Sequence, residues 1–207
     1  TFLKKNGVIG LCGIDTRALT RIVREYGVMN GKIVTGEKAE LGLSELKNYK
    51  IVDAVENTTC KEEHVFSPEG EVKKRICMLD LGAKYNMRRE LVKRGCEVTV
   101  LPASTSFERI KEINPDGILL SNGAGDPAAN VGVIETVKKI CEAKIPVMGI
   151  CLGHQILALS QGARTEKMKY GHRGGNQPAI EVKTGRTYIT CQNHGYQVMG
   201  DSLPKGA

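Results

Sequence analysis

The stretch Gly149-Ile150-Cys151-Leu152-Gly153-His154 decides the fold of this chain. It follows a short apolar run at 145–148 and precedes a run at 155–159 with helical character. Strand, tight turn and helix, with a reactive side chain at the turn and a glycine two residues to either side, form the nucleophile-elbow pattern, here with cysteine in place of serine. Glycines are needed because the strand and helix backbones pass close together. The stretch predicts an α/β fold with Cys151 at a strand-to-helix turn.

The predicted position prepares Cys151 for nucleophilic chemistry. Unpaired N–H groups and the helix dipole at a helix N-terminus favour an anion, and the thiolate is the reactive form of cysteine. The same N–H groups can hold an oxyanion formed on a substrate carbonyl. Most cysteines are buried, unreactive thiols, but the Gly-x-Cys-x-Gly frame between a strand and a helix favours a nucleophile.

From about residue 74 onward, apolar runs of strand length alternate with helical segments. The predicted strands are 75–81, 96–101, 117–121 and 146–151, and the predicted helices between them are 84–94, 107–113 and 131–143. This alternation predicts right-handed βαβ units, and therefore an open, mostly parallel sheet with flanking helices. Short strand-like runs at 179–182 and 187–191 predict an antiparallel extension.

The first fifty residues have a different pattern. Asp15 is placed to cap a helix that ends at Tyr26, with Leu19, Ile22 and Val23 turned inward. A strand is predicted at 31–35 and a short helix at 43–49. The chain thus divides into a smaller unit at 1–50, a polar linker at 51–73 and a larger domain at 74–207.

Composition argues against several classes of function. The formal charge is +7, but lysine and arginine are scattered, tryptophan is absent and aromatic residues are 4% of the chain, so nucleic-acid binding is not favoured. No apolar run approaches the roughly 18 residues of a membrane span. The seven cysteines form no CxxC pair and no Cys/His cluster with ligand spacing, so no metal site is predicted.

The cysteines also indicate a compartment. Their number is odd, and Cys77, Cys96 and Cys191 lie inside apolar runs, where we expect buried thiols acting as small hydrophobic groups. That usage is typical of a reducing environment and predicts a cytoplasmic protein.

Two glycine-containing segments accompany the elbow. Residues 121–127 (SNGAGDP) follow the third predicted strand, and residues 192–196 (QNHGY) follow the strand predicted to end at Cys191. In an open α/β sheet, sites form at the carboxyl ends of the strands, so these segments are expected beside the elbow. Taken alone, the first is also compatible with an ordinary Gly-Asp-Pro turn and His194 with a structural histidine.

Together these segments resemble the class I (triad) glutamine amidotransferases, and within that family the small, glutamine-hydrolysing subunits of carbamoyl phosphate synthetases. The resemblance spans nearly the whole chain. GICLGHQ at 149–155 is shared across the class, whereas the KYGHRGGNQP loop at 169–178 and GIDTRALT at 13–20 are more specific. The resemblance implies that residues 1–50 are the remnant of a smaller N-terminal α/β domain, and that 74–207 form a glutamine amidotransferase domain that is incomplete at its C-terminus.

The resemblance also implies roles for individual residues. Cys151 would attack the side-chain amide of glutamine, release ammonia and form a thioester. The N–H groups of Leu152 and Gly123 would form the oxyanion hole. The implied glutamine-binding residues, acting partly through backbone groups, are Gly123, Gly125, Leu152, Gln155, Asn193, Gly195 and Tyr196. Two positions depart mildly from the family: Ala124 stands where many members have proline, and Tyr196 where phenylalanine is common.

A third departure concerns the catalytic base, which in the family is a histidine followed two residues later by glutamate. The chain has four histidines, His64, His154, His172 and His194, and none has an acidic residue two positions on. The catalytic His and Glu are therefore absent, and the chain is expected to end before they would occur. The family places the equivalent of His194 beside the glutamine, so we do not expect it to replace the base.

The resemblance implies L-glutamine as the substrate and, as the partner, a large carbamoyl phosphate synthetase subunit, where ammonia meets bicarbonate and ATP. The sequence contains no P-loop, so no cofactor is expected in this chain, and ATP and Mg²⁺ are expected on the large subunit. The chain alone is expected to be weakly active or inactive. One alternative is a scaffold or binding subunit with an inert cysteine. Another is a different elbow-type cysteine hydrolase, against which the QNHGY and KYGHRGGNQP segments argue.

Overall fold

The computed structural model describes residues 2–34 and 43–205. The chain divides into two compact units, residues 1–49 and residues 50–207. The helices are α1 (Phe2–Lys5), α2 (Thr16–Tyr26), α3 (Leu43–Asn48), α4 (Ala54–Thr58), α5 (Tyr85–Lys93), α6 (Phe107–Ile113), α7 (Val131–Glu142) and α8 (Leu152–Ser160). The strands are β1 (His64–Phe66), β2 (Lys74–Asp80), β3 (Cys96–Pro102), β4 (Gly117–Leu120), β5 (Val147–Gly149), β6 (Thr165–Glu181) and β7 (Arg186–Val198).

The first unit contains the predicted capped helix. The Asp15 carboxylate accepts a hydrogen bond from the N–H of Ala18 at 2.9 Å, and α2 ends at Gly27, whose φ is +90°. Leu19 and Ile22, however, are 49% and 44% exposed. The prediction that they turn inward is wrong, because the described residues of this unit provide no layer that covers this face of the helix.

The second half of the first unit is less regular than predicted. Residues 31–34 form no strand, and residue 35 of the predicted strand lies outside the described residues. The predicted short helix is confirmed as α3. Asn30 Nδ2 donates to the carbonyls of Leu46 and Tyr49, at 2.7 and 2.8 Å, and so holds the preceding segment against the end of α3.

The second unit is built on a five-stranded sheet of order β1-β3-β2-β4-β5. Strands β2 to β5 run parallel, and β1 pairs antiparallel with β3 at one edge. This confirms the predicted α/β fold with an open, mostly parallel sheet. The segment 51–73, predicted as a linker, contains α4 and β1; these elements are too short to produce a clear periodic signal in the sequence.

Alternate residues of the central strands pack on opposite faces of the sheet. On one face, Cys77, Leu79 and Leu81 join residues of α6, α7 and α8 in the larger core cluster. On the other face, Met78 joins side chains of β3 and the apolar stripe of α5. A parallel sheet covered on both faces needs such continuous apolar strands, and its loops collect at the carboxyl edge.

Strands β6 and β7 form a separate two-stranded antiparallel ribbon. The predicted antiparallel extension is thus confirmed, but it is much longer than the runs at 179–182 and 187–191. The 169–178 segment, predicted as a loop, lies within β6, and 192–196 lies within β7 rather than after it. The pairing is irregular between Lys167 and His172 and between Gly174 and Gln177. The sequence did not predict the full length of the two strands, because bulges and glycines interrupt the alternation of apolar and polar residues that is typical of a strand.

The cysteines are all free. The prediction of a buried thiol is confirmed for Cys77, whereas Cys96 is only half-buried and the prediction is wrong for Cys191, which is exposed. Cys191 lies on a ribbon with one open face, so an apolar neighbourhood in sequence does not bury it. Among the described residues, no helix has the length and apolar character needed to cross a membrane.

Candidate active site

Cys151 lies at a strained turn between β5 and α8. Its backbone has φ +55° and ψ −110°, which places a non-glycine residue in a sparsely populated region. Such strain persists only where the surroundings hold it, and it is typical of functional sites. Ile150 N–H continues the sheet by donating to Leu120 O at 3.0 Å, so the bend falls at Cys151 itself. The predicted elbow is therefore present, and its side chain is half-buried rather than enclosed.

The two glycines of the elbow are required by close backbone approach. A β-carbon built on Gly149 would lie 2.5 Å from His154 N, in the first turn of α8. A β-carbon on Gly153 would lie 2.7 Å from the carbonyl carbon and Cβ of Leu120 in β4. The N–H of Gly153 in turn donates to Ser121 O at 3.1 Å. The sequence prediction that glycine permits this packing agrees with these contacts.

The 121–127 segment is fastened to the loop that follows β2. Ser121 Oγ accepts from Leu81 N–H at 2.8 Å, the Asn122 amide donates to Gly82 O at 3.0 Å, and Lys84 N–H donates to Asn122 Oδ1 at 3.1 Å. Two adjacent strand ends are thereby cross-linked by side chains. This arrangement holds the backbone of the following residues before any ligand arrives.

Asp80 organises the same edge from β2. Its two carboxylate oxygens accept from the N–H groups of Cys60, Gly82 and Ala83, at 2.9, 2.9 and 2.7 Å. Sequence reasoning did not single out Asp80. Its position at the end of a buried strand, two residues before a glycine, was the available signal, because carboxyl strand ends carry the loops of α/β sites.

The proposed oxyanion-hole residues lie against each other. A β-carbon built on Gly123 would be 2.5 Å from Leu152 Cδ2 and closer still to Leu81 O, so only glycine fits beside the residue that follows Cys151. In the described part of the chain, the N–H groups of Gly123 and Leu152 donate no hydrogen bond to protein atoms. An oxyanion hole requires N–H groups that are free to donate to a ligand oxygen, as these two are.

The ribbon contributes the other wall of the site. Cys151 Sγ lies 3.8 Å from Asn193 O, and Gln155 Nε2 donates to Tyr196 O at 2.8 Å. Gln155 is buried, so this bond fixes α8 to β7. The structure thus brings Cys151, Gln155, Asn193 and Tyr196 together, although Asn193 and Tyr196 were predicted to follow a strand.

Gly195 and Gly125 complete the predicted set. Gly195 lies between the two β7 residues that contact the elbow. Gly125 has φ +94°, and a β-carbon there would lie 2.8 Å from Ala54 Cβ. Burial raises the pKa of Tyr196, and the neighbouring Asp126 carboxylate raises it further by charge and by a hydrogen bond. The ribbon therefore also contacts the loop that contains Gly125.

The histidines form no hydrogen bond with the reactive sulfur in the described part of the chain. The hydrogen-bond contact of Cys151 Sγ is with Asn193 O. His194 Nδ1 lies 2.7 Å from Tyr196 O, and its Nε2 faces Gln192 and His172. His194 is thus engaged within the ribbon. Sequence reasoning missed this histidine cluster, because its members are distant in the chain.

Family models match both parts of the chain. The model for glutamine amidotransferase class-I matches residues 77–207, and the model for the CPSase domain of the carbamoyl-phosphate synthase small chain matches residues 1–33. The first match covers most of the sheet, the elbow and the ribbon.

Relatives with similar sequences align along nearly the whole chain. A carbamoyl phosphate synthase small chain from Salmonella typhi is 42% identical over 99% of this chain and 58% of its own length. One from Listeria monocytogenes is 45% identical over 98% of this chain and 55% of its own length. The chain therefore spans somewhat more than half the length of these relatives.

A solved structure has a similar fold. A Thermoplasma acidophilum protein described as part of a GMP synthase matches with a TM-score of 0.53 and 25% identity, over 63% of this chain and 68% of that one. The family match over most of the chain, the strained cysteine elbow and the shared fold lead to one conclusion. The chain belongs to the class-I glutamine amidotransferase family.

Proposed function

We propose that this chain is the glutamine-hydrolysing part of a carbamoyl phosphate synthetase, with Cys151 as nucleophile. The observation that carries the proposal is the strained elbow, in which Cys151 adopts φ +55° beside two unengaged N–H groups. Backbone strain at a cysteine on a helix N-terminus has a direct use in presenting sulfur to a substrate carbonyl. The names of the relatives with 42% and 45% identity support the assignment to carbamoyl phosphate synthesis.

The first chemical step is attack of the Cys151 thiolate on the side-chain carbonyl carbon of glutamine. The new C–S bond moves the carbonyl electron pair onto oxygen, where the N–H groups of Leu152 and Gly123 stabilise it. Collapse of this intermediate breaks the C–N bond, and the nitrogen takes up a proton and leaves as ammonia. Water then hydrolyses the thioester to glutamate and regenerates the thiol.

The proposed pocket is formed by α8, the 121–127 segment and β7. Asn193 O, 3.8 Å from Sγ, marks where the ribbon meets the reacting sulfur. Gln155 and Tyr196 are joined by a hydrogen bond, so we assign Gln155 chiefly to shaping the pocket and the backbone around Gly195 to binding glutamine. Gly125 provides backbone groups on the opposite side.

Turnover by these 207 residues alone is expected to be slow. They contain no histidine with an acidic residue two positions on, and no described histidine forms a hydrogen bond with Sγ. Loss of a triad member lowers turnover by about 10⁴- to 10⁶-fold. Formation of the covalent bond to Cys151 is therefore a more direct readout than ammonia release.

The proposed partner is a large synthetase subunit that consumes the ammonia. ATP and Mg²⁺ are assigned to that partner, because the sequence contains no P-loop. Co-elution of the chain with such a partner in size-exclusion chromatography tests this part, because it does not depend on turnover. Separate elution of the two proteins would contradict the proposed partnership.

The nucleophile is tested with a glutamine analogue that carries an electrophilic diazoketone in place of the side-chain amide. We expect one molecule to add per chain, measured by intact mass, and glutamine to protect against the addition. Cys151→Ser abolishes it. Cys191→Ser is the matched control, because Cys191 is also a free thiol, is exposed, and belongs to β7 rather than to the elbow.

The contrary result is equally clear. Modification that is spread over exposed cysteines, is unaffected by glutamine and persists in Cys151→Ser would mean that Cys151 is inert. The chain would then act as a scaffold or binding subunit, the alternative raised from the sequence.

A further inference from the structure

Three donor atoms converge on the ribbon beside the proposed active site. His172 Nδ1 lies 3.1 Å from His194 Nε2 and 3.0 Å from Gln192 Oε1, and the last two atoms are 2.9 Å apart. His172 and His194 are directly paired across β6 and β7. We call these three side chains the His–Gln–His triangle. All three are half-buried, so the group is ordered by the ribbon yet remains accessible.

Neighbouring groups fix the orientation of two members. Gln192 Nε2 donates to Thr190 Oγ1 at 2.9 Å, and the Thr190 hydroxyl donates to Gln177 O at 2.8 Å. The Gln192 oxygen must therefore face the histidines. His194 Nδ1 lies 2.7 Å from Tyr196 O, a pure acceptor, so Nδ1 holds the proton and Nε2 of the neutral ring presents a lone pair to the triangle.

Protons alone cannot satisfy such a triangle. A proton on His172 Nδ1 serves both neighbours but leaves the lone pairs of His194 and Gln192 facing each other at 2.9 Å. A proton on His194 Nε2 leaves His172 Nδ1 and the Gln192 oxygen facing each other at 3.0 Å. Protons on both rings leave two N–H groups facing each other at 3.1 Å. Every assignment has at least one repulsive edge.

We propose that the His–Gln–His triangle binds a divalent first-row transition metal, with Zn²⁺ as the reference ion. Such an ion accepts all three lone pairs at once and removes the repulsive edge. Imidazole suits Zn²⁺, Cu²⁺ and Ni²⁺, and donors at Zn–N distances of about 2.0–2.1 Å in a tetrahedral site are about 3.3 Å apart. The triangle needs to open by only a few tenths of an ångström.

Ring geometry and outer contacts fit the same site. The two imidazole rings are nearly perpendicular with centroids 4.9 Å apart, shorter than the roughly 5.4 Å of an in-line N–H···N bond of this length, so the two rings do not form an in-line N–H···N bond. Ligating histidines usually donate their other N–H to a carbonyl or carboxylate, as His194 does to Tyr196. The fourth position is left for water.

The third donor explains why the sequence did not predict the site. No group of three or more His, Cys, Asp or Glu side chains capable of holding a metal occurs among the described residues. Here an amide oxygen completes the set, and the two histidines are 22 positions apart. An amide is a weaker ligand than a carboxylate, so replacing it with one has a predictable effect.

Binding at the triangle would act on the neighbouring site through the ribbon. Asn193, whose carbonyl lies 3.8 Å from Cys151 Sγ, stands between Gln192 and His194. Tyr196 O accepts from both His194 and Gln155. A metal that bridges β6 and β7 would therefore stiffen the strand that forms one wall of the proposed pocket.

The test is calorimetric titration of the 207-residue chain with ZnCl₂ near neutral pH, without glutamine. We expect one ion per chain, released by a chelator. His172→Ala weakens binding by about tenfold or more, and Gln192→Glu tightens it, because a carboxylate is the better ligand. His64→Ala is the matched control, since His64 is exposed on β1 outside the triangle, and it leaves affinity unchanged.

Titration with Co²⁺ separates the triangle from the free cysteines. Ligation by two imidazoles and an amide gives ligand-field bands without thiolate-to-cobalt charge transfer, whereas cysteine ligation adds that absorption. The proposal is overturned by absence of a one-to-one complex, by thiolate charge transfer, or by equal affinity in His172→Ala.

The proposal can still be tested if His172→Ala fails to fold. Circular dichroism checks that His172→Ala is folded; if it is not, failure of Gln192→Glu to tighten binding overturns the proposal by itself. Metal affinity is measured without glutamine and without Cys151 chemistry, so this result stands or falls separately from the proposed glutaminase function.

Discussion

Replacing Gly153 with alanine should destabilise the second unit through a backbone collision between α8 and β4. The added methyl group would lie 2.7 Å from the carbonyl carbon and Cβ of Leu120 and nearer still to Leu120 O, against ordinary contact distances of about 3.5 Å. Helix and strand must separate by about 1 Å, which also stretches the 3.1 Å bond from Gly153 N–H to Ser121 O. Overpacking of this kind costs about 1–3 kcal/mol, and a weakened hydrogen bond adds about 0.5–1.5 kcal/mol. Better helix propensity returns at most about 1 kcal/mol, so we expect a net loss of about 0.5–4.5 kcal/mol.

Gly132→Ala is the matched control, because Gly132 is likewise the second residue of its helix, α7, and a β-carbon there meets nothing within 4 Å. That change should stabilise the chain by about 0.5–1 kcal/mol. Both free energies of unfolding come from denaturant titration, with an unchanged m-value as evidence of an unchanged unfolding reaction. A Gly153→Ala midpoint at or above that of the wild type would show that the close approach does not constrain the elbow.

Three further outcomes follow from individual contacts. Gln155→Leu removes the donor that joins α8 to Tyr196 O. It should lower the free energy of unfolding by about 1–3 kcal/mol and weaken the protection of the Cys151 thiol by glutamine. Gln161→Leu, at an exposed position and measured in the same denaturant and labelling assays, should have neither effect. Asp80→Ala leaves three main-chain N–H groups without their acceptor, so the denaturation midpoint should fall, and a midpoint equal to the wild type would contradict the proposed role. Burial raises the pKa of Cys77 from 9.0 to about 12. The thiol therefore loses its proton at lower pH in the unfolded chain than in the folded one, so the free energy of unfolding should fall as pH rises from 9 toward 12. In Cys77→Ala the free energy of unfolding should fall less steeply with pH over the same range.

The elbow could be predicted from sequence because its determinants are local. Glycine two residues either side of Cys151, between an apolar run and a helical run, leaves few alternatives to a tight strand-to-helix turn. The central strands were predictable for a similar reason, since buried parallel strands are short, continuous apolar runs. Their burial on both faces, seen in Met78 and Leu79, agrees with that pattern.

The ribbon was less predictable because its strands do not depend on a continuous apolar pattern. Gly171 and Gly174, both with positive φ, interrupt β6, and the alternation of β7 is broken by polar residues. The backbone hydrogen bonds of the long antiparallel pair stabilise the two strands in place of a continuous apolar face. The sequence of one strand does not show these bonds, because they depend on its partner. The sequence of the 51–73 segment did not predict β1 either, because β1 is defined by its pairing with β3.

By itself, the sequence determined the α/β class, the order of the central elements and the identity of Cys151 as the candidate nucleophile, because each depends on residues within one strand or one turn. Only the tertiary structure decided which distant groups meet: Gly123 against Leu152, Asn193 beside Cys151, and His172 with Gln192 and His194. Those juxtapositions depend on strand register and on the bulges that shift it, and register is a property of two chain segments that neither segment carries alone.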